Sequence, residues 1–418
     1  MSVNLDCCNQ YKNKMSSTKA TFSAKQAAQI LGVSLATLYA YVSHGLLVSM
    51  VADVKRSKTY AQDEVLRLAA RNADSRRAGH TAQATIDWGV PILESRISLI
   101  ADGKLRYRGH DVVQLAQNAS LEQAALLLWD QPKRNYFEIA PPATPHYWNA
   151  LNTALANQSA LNRAMSMLAA LAPSEAGTTT EATGTGAQLM RMLASALLGT
   201  PILDLALHQQ LAQAWQLPAQ TAQAVRAALV ICADHELNVS TFAVRCVISS
   251  GAELSAALSA GLAALSGPKH GGESLRVGRF LREALALPDS QLHDYLQLCL
   301  QQALPHHGFS SGLPGFGHPL YPGGDPRGKF LLSLLPEQDQ ARFQQLQALA
   351  SALSGQQPNL DFGLAALEYC FALPLGAAQI IFALGRSAGW IAHAAEQIEY
   401  GQLIRPRARY VGNFEFTD

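Results

Sequence analysis

The chain of 418 residues is 49% hydrophobic and 15% charged with a net charge of +1, so it can bury cores for two or three domains and is no general polyanion binder. Its six cysteines (Cys7, Cys8, Cys232, Cys246, Cys299 and Cys370) show no CxxC or Cys/His metal spacing and read as reduced thiols, which points to the cytoplasm. No secretory apolar region opens the sequence and no run of about 18 apolar residues occurs, so a soluble protein is expected.

Residues 1–20 are polar and aperiodic, which predicts a disordered arm, with Met15 a second candidate start. Residues 21–71 read as one compact unit. Ser23 can cap a helix over Ala24 to Leu31, Gly32 breaks it, and Ser34 can cap a second helix over Leu35 to Ser43 that turns Leu38 and Val42 inward. The pattern Ala-Ala-x-x-Leu-Gly-Val-Ser-x-x-Thr-Leu-Tyr, residues 27–39, is that of a helix-turn-helix, whose second helix would enter a major groove. The basic run Lys55-Arg56-Ser57-Lys58 follows. Together they resemble the winged helix-turn-helix of MerR-like and excisionase-like proteins. The resemblance implies DNA contacts from Ser34, Thr37 and Tyr39 on the helix and from Lys55, Arg56 and Lys58 on the wing. From Lys19 to Arg77, nine basic residues face four acidic ones, so this unit is far more basic than the rest of the chain. A small packing unit without DNA contacts is the alternative.

Residues 72–83 form a polar linker containing Arg and Gly. Leu93 to Ile100 alternates in the manner of a strand, and with Gly103 to Gly109 it predicts a small hairpin. Helical periodicity follows from Leu121 to Leu128. Pro173 to Gly186, rich in Gly and Thr, predicts an exposed loop, and helices resume over Leu189 to Leu198 and Thr221 to Ala233. An Ala-rich helix then leads to Gly267-Pro268-Lys269-His270-Gly271-Gly272. Further on, Pro314 to Arg327 sets His318 among glycines and prolines. Glycine lets backbone approach a ligand closely, so histidines in such turns suit a ligand-facing surface.

His235, His270, His318, Arg327, Asp361, Arg386 and Arg405 are the polar residues in unusual contexts. One carboxylate with three arginines makes a poor metal site and a good one for a small di- or tricarboxylate, which arginine grips in a bidentate fork. An acid and histidines beside such a clamp suggest proton abstraction next to a carbonyl. Gly-Pro-x-His-Gly-Gly, Pro-Gly-Phe-Gly-His-x-x-Tyr with Asp-Pro-Arg, Asn-x-Asp-Phe, Arg-x-x-Gly-Trp-Ile-Ala-His and Arg-Pro-Arg occur in this order, and the chain resembles citrate synthases from about Ile86 to Tyr410. Leu105-Arg106-Tyr107-Arg108-Gly109 fits the same pattern.

That resemblance implies a mainly α, two-domain citrate synthase fold preceded by the winged unit, and a homodimer with its active site in the interdomain cleft. Residues 84–275, completed by 380–418, would be the large domain and 276–379 the small one. Asp361 would deprotonate the acetyl-CoA methyl, His270 would hydrogen-bond the thioester oxygen, and His318 would polarise the ketone of oxaloacetate. His235, Arg327, Arg386 and, from a partner subunit, Arg405 would bind oxaloacetate, and the turn of Leu313, Pro314, Gly315, Phe316 and Gly317 would lie near the CoA adenine. No metal and no resident cofactor are implied. Taken alone, Asp361 would read as a helix N-cap and Arg405 and Arg407 as surface charges; His393, His306 and His307 read as structural or exposed.

Two departures stand out. Glu273-Ser274 replaces the usual small residue and Asn, and places an extra carboxylate near the expected CoA cleft; Pro319 stands where many members carry Arg. Two functions follow from these residues: a synthase condensing acetyl-CoA or another short acyl-CoA with oxaloacetate, or a DNA-binding regulator that uses the same fold to sense a metabolite. The base Asp361 favours the synthase, because a sensor needs only the arginines. One methylene separates acetyl-CoA from propionyl-CoA, and it is worth only about 1–3 kcal/mol in a pocket.

Overall fold

A computed structural model of the chain describes residues 21–31, 33–35, 38–39, 42, 47, 49–51, 58–62, 65–66, 93–131, 134–171, 179–302, 312–408 and 412. They fall into two units, Met1–Ile92 and Leu93–Asp418. In the first, strands β1 (Thr21–Ser23), β2 (Ser49–Val51) and β3 (Lys58–Ala61) form an antiparallel sheet in the order β1-β3-β2, with Phe22 opposite Tyr60 and Met50 opposite Thr59. Helix α1 (Ala24–Leu31) starts where expected, because Ser23 and Gln26 cap it reciprocally: Gln26 N–H donates to Ser23 Oγ and Ser23 N–H to Gln26 Oε1. Ala27, Ala28, Leu31, Leu38, Leu47, Tyr60 and Val65 make a core of their own. Of the expected second helix, residues 35, 38, 39 and 42 are described and helical. Thr37, Lys55 and Arg56, the arm over residues 1–20 and the linker over 72–83 lie outside the described residues.

The second unit opens with a hairpin, β4 (Ser98–Ala101), β5 (Lys104–Tyr107) and β6 (His110–Asp111), whose first turn places Asp102 and Gly103 at φ 53° and 68°. The strand expected over Leu93 to Ile100 begins only at Ser98, since Ser98 is the first residue with a partner across the ladder. Tyr107 anchors the hairpin: its buried hydroxyl accepts from Asp234 N–H at 3.0 Å and lies 3.1 Å from the carbonyl of Ile231.

The rest is helical: α2 (Val112–Asn118), α3 (Leu121–Leu128), α4 (Trp148–Ala154), α5 (Ala160–Ala169), α6 (Thr179–Leu198), α7 (Leu207–Trp215), α8 (Ala219–Cys232), α9 (Val239–Ser249), α10 (Leu254–Leu265), α11 (Glu273–Ala286), α12 (Asp289–Gln302), α13 (Pro326–Leu332), α14 (Glu337–Ser354), α15 (Leu360–Cys370) and α16 (Ala377–Tyr400). The spans expected from Leu121 to Leu128 and around Thr221 to Ala233 are α3 and α8. The exposed loop expected from Pro173 to Gly186 needs correction, because α6 already begins at Thr179; residues 172–178 are outside the described set. Here glycine serves packing and not a turn: a Cβ on Gly186 would stand 2.6 Å from Ile391 of α16. The domain boundary expected at 275/276 falls inside α11.

Helix α16 is the axis of this unit. It packs against α6, α8 and α9, and almost every residue from Ala377 to Ala395 is buried. Gly385 and Gly389 let it lie directly on the chain that leaves α8, where a Cβ would meet Leu229 O at 2.6 Å or Ala233 O at 2.4 Å. Arg386 Nε–H donates to Cys232 O at 2.8 Å and Gly389 N–H to Ala233 O at 2.9 Å, so α16 fixes the backbone that carries Asp234 and His235. Among the described residues no helix is long and apolar enough to cross a membrane.

Candidate active site

His235 follows α8 and leads to Glu236, which sits at φ 50°. Its Nε2 is 3.0 Å from the Tyr321 hydroxyl, and its ring meets that of His318 edge-on with centroids 5.1 Å apart. Burial first, and then the positive charge of Arg327, hold His235 well below the usual histidine range, so it is a neutral imidazole. His318 lies in the turn before α13. Leu320 N–H donates to its Nδ1 at 3.2 Å, which places the proton of the neutral ring on Nε2. Burial and Arg327 lower its pKa to about 4, so at neutral pH His318 offers an uncharged N–H donor.

Arg327 belongs to the first turn of α13, which Asp325 caps and Pro326 opens. Asp325 grips it in a bidentate fork, accepting from Nε at 3.0 Å and from Nη2 at 2.8 Å. Burial opposes the charge of Arg327, but the Asp325 carboxylate more than offsets it and raises the guanidinium pKa. Asp325 Oδ2 also accepts Leu360 N–H at 3.2 Å, which ties this arginine to the start of α15. The guanidinium lies 5.3 Å from the centre of the Tyr321 ring, and that of Arg386 lies 4.8 Å from the Phe382 ring.

His270 stands in the turn between α10 and α11, edge-on to Phe382. Its Nε2 is 2.8 Å from Ser240 Oγ, which also accepts the Trp390 indole N–H at 3.2 Å. Ser240 has one proton and two acceptors in reach, His270 Nε2 and Asn238 Oδ1. In the structure that proton goes to Asn238 Oδ1 at 2.7 Å; turned to His270 instead, it would leave the imidazole proton on Nδ1 and make that atom the donor. Burial and then Arg386 lower the His270 pKa to about 3, so this ring too is neutral.

Asp361 lies in the first turn of α15. The capping role belongs to Asn359, whose Oδ1 accepts from Asp361 N–H at 3.0 Å and Phe362 N–H at 3.3 Å, leaving the Asp361 carboxylate available for chemistry. Ser274 Oγ–H donates to its Oδ1 at 2.5 Å. Burial raises its pKa to about 7, with Ser274 working against the rise and the Glu273 carboxylate adding to it. A carboxyl poised near neutrality, combined with uncharged histidine donors, is the chemistry that can remove a proton from carbon while a neutral acid shares the enolate charge.

The turn over Leu313 to Gly317 is stitched to the segment before α15. Gly317 N–H donates to Gln357 O at 2.8 Å, Asn359 N–H to Gly315 O at 2.9 Å, and Phe316 bridges to Pro358. Gly315 and Gly317 adopt φ 80° and 81°, which side chains rarely tolerate. Leu313 and Phe316 are buried beneath the turn.

The structure therefore gathers His235, His270, His318, Arg327, Asp361 and Arg386 into one network of contacts. Arg405 is exposed on the segment after α16 and shares none of those contacts. Ser34, Tyr39 and Lys58 are exposed in the first unit. His393, read as structural or exposed, is buried between Asp234 and Arg245, while His306 and His307 lie outside the described residues. Glu273 is paired, with Arg276 on its carboxylate, and Pro319 is exposed. Sequence reasoning missed Tyr321, Asp325 and Ser240 as site residues, and it marked Ser274 only as a departure from the family pattern. Tyr321 and Asp325 stood inside the recognised motifs, whereas Ser240 carries no signal of its own.

Among solved structures, the second unit resembles citrate synthase from Thermoplasma acidophilum, determined in a ternary complex with carboxymethyl coenzyme A and oxaloacetate; the TM-score is 0.64 at 23% identity, over 80% of this chain and 97% of that one. Citrate synthase 2 of Bacillus subtilis is 27% identical over 362 residues, which is 78% of this chain and 94% of the relative. A 2-methylcitrate synthase of Mycobacterium tuberculosis is 27% identical over 368 residues, 78% of this chain and 89% of the relative. The family model "Citrate synthase, C-terminal domain" matches residues 86–407, and the chain belongs to the citrate synthase family.

Proposed function

We propose that the protein condenses a short acyl-CoA, acetyl-CoA or propionyl-CoA, with oxaloacetate to give citrate or methylcitrate and free CoA. The observation that carries this is that Asn359, and not Asp361, caps α15, which leaves the buried Asp361 carboxyl, raised to about 7, to act as a base that a sensor does not need. Asp361 takes a proton from the acyl carbon next to the thioester carbonyl, and His270 donates to that carbonyl oxygen, so no full enolate charge builds up. The enol carbon attacks the ketone of oxaloacetate, whose oxygen His318 Nε2–H polarises. His235, Arg327 and Arg386 bind the carboxylates. Water then cleaves the citryl thioester. The acyl-CoA is a co-substrate, and none of these steps calls on a resident cofactor.

The same reading assigns the turn at Leu313 to Gly317 to the CoA adenine, divides the body into 84–275 with 380–418 and 276–379, and makes the active unit a homodimer. Arg405, exposed in one chain, then completes the oxaloacetate site of its partner. The test is thiol release from acetyl-CoA and from propionyl-CoA, with and without oxaloacetate. CoA release that is absent, or indifferent to oxaloacetate, overturns the proposal.

A nucleic-acid role for residues 21–71 is a second proposal. It is favoured by the antiparallel pairing of β2 with β3 beside a separately cored helix, with Lys58 and Tyr39 exposed. Retardation of the DNA upstream of the coding region, at two salt concentrations, should be stronger for the full chain than for a protein beginning at Ala84. Equal retardation by both removes this role.

A further inference from the structure

Glu273 and Ser274 open α11 next to the base, and the reaction scheme uses neither. Ser274 is only 2% exposed, so water does not compete for its hydroxyl, which donates to Asp361 Oδ1 at 2.5 Å. Glu273 accepts from Arg276 Nε at 2.7 Å and from its Nη2 at 2.6 Å. The Gly315 N–H of the 313–317 turn donates to Glu273 Oε1 at 3.3 Å. These contacts close a ring: Gly315 N–H binds Glu273, Asn359 N–H binds Gly315 O, Asp361 N–H binds Asn359 Oδ1, and Ser274, the neighbour of Glu273, binds Asp361 Oδ1.

We infer that Ser274 and Glu273 are positioning residues for Asp361, Ser274 holding Oδ1 so that Oδ2 is the proton-accepting oxygen and Glu273 locking the base to the 313–317 turn. This rests on the reading of Asp361 as the base. The two side chains act on the carboxyl in opposite electrical senses. A hydroxyl donor favours the ionised form and a neighbouring carboxylate disfavours it. The other charged groups facing Asp361 are Arg327 and Asp325 from α13, the first favouring and the second opposing ionisation. Arg276 neutralises part of the Glu273 charge, and Arg386 of α16 flanks the Cys232 thiol together with Asp361.

The opposite senses provide a test that a merely structural role would fail. In the full-length protein, Ser274→Ala should move the midpoint of the kcat–pH profile up by about one unit, the scale of one hydrogen bond to a charged group. Below the midpoint kcat then falls about tenfold, while the KM for oxaloacetate changes less than about twofold. Ser274→Thr keeps the hydroxyl and should restore the profile. Glu273→Gln keeps an acceptor for Gly315 N–H but removes the charge, and should move the midpoint down. The Tm of each variant, compared across pH with that of its Asp361→Asn counterpart, reads the ionisation of Asp361 without any turnover. Midpoints that stay put, or that move the same way in Ser274→Ala and Glu273→Gln, overturn this inference in an active enzyme. Opposite shifts in Tm without oxaloacetate-dependent CoA release uphold the pairing and overturn the synthase reading instead.

Discussion

Replacing Asp361 with Asn removes a charge and almost no volume, so the pH dependence of stability isolates what burial does to this carboxyl. Its pKa is raised from 3.8 to about 7 in the folded chain. A carboxyl raised on folding binds its proton more tightly in the native state. Its contribution is thus intact below pH 4, is lost as pH rises from about 4 to 7, and is constant above that. Three units correspond to about 4 kcal/mol as an upper limit, and partial access to the cleft reduces this to about 2–4 kcal/mol. Asp361→Asn should therefore match the wild type in stability at pH 4 and exceed it at pH 8. In a body of this size the gain in Tm is on the order of 5 °C. Scanning calorimetry of both proteins between pH 4 and pH 8.5 gives the difference curve. In parallel, wild-type kcat should rise through pH 7 as the base ionises, and Asp361→Asn should lose at least about a hundredfold on the plateau at about pH 8 and above, with a smaller deficit at acid pH where the wild-type base is itself protonated. Two Tm curves that run parallel would refute the raised pKa, and turnover near wild type would refute the assignment of the base.

Gly389→Ala should destabilise the protein by about 1–3 kcal/mol and raise the KM for oxaloacetate, because its Cβ would stand 2.4 Å from Ala233 O and from Asp234 Oδ1, next to His235. Urea unfolding and saturation kinetics read the two effects, and an unchanged Cm counts against the close approach of α16. Tyr321→Phe removes the hydroxyl 3.0 Å from His235 Nε2 while keeping the ring beside Arg327. It should cost about tenfold in oxaloacetate affinity with stability within about 1 kcal/mol; calorimetric titration with oxaloacetate showing unchanged affinity would exclude a role for that bond.

Local rules were enough for much of this chain. Ser23 with Gln26 begins α1, Asn359 begins α15 through two backbone N–H groups, and Asp-Gly at 102–103 turns the hairpin, because each signal acts within three residues of its source. The order of the His, Arg and Asp motifs likewise named six residues that share one network. Tertiary structure decided the rest. The Gly- and Thr-rich start of α6 reads as a loop until α16 lies against it and Gly186 is seen to make room for Ile391. Taken alone Asp361 reads as a helix cap, and the motif order that names it as a base says nothing of its pKa, which burial and the Glu273 charge raise to about 7. Ser240 becomes a partner of His270 only where α9, α16 and the turn after α10 converge, and Ser274 meets Asp361 across 87 residues of chain. Hydrogen bonds at such separations, and the loss of water that shifts a pKa, depend on which surfaces are buried together, and that is settled by packing rather than by neighbours in sequence.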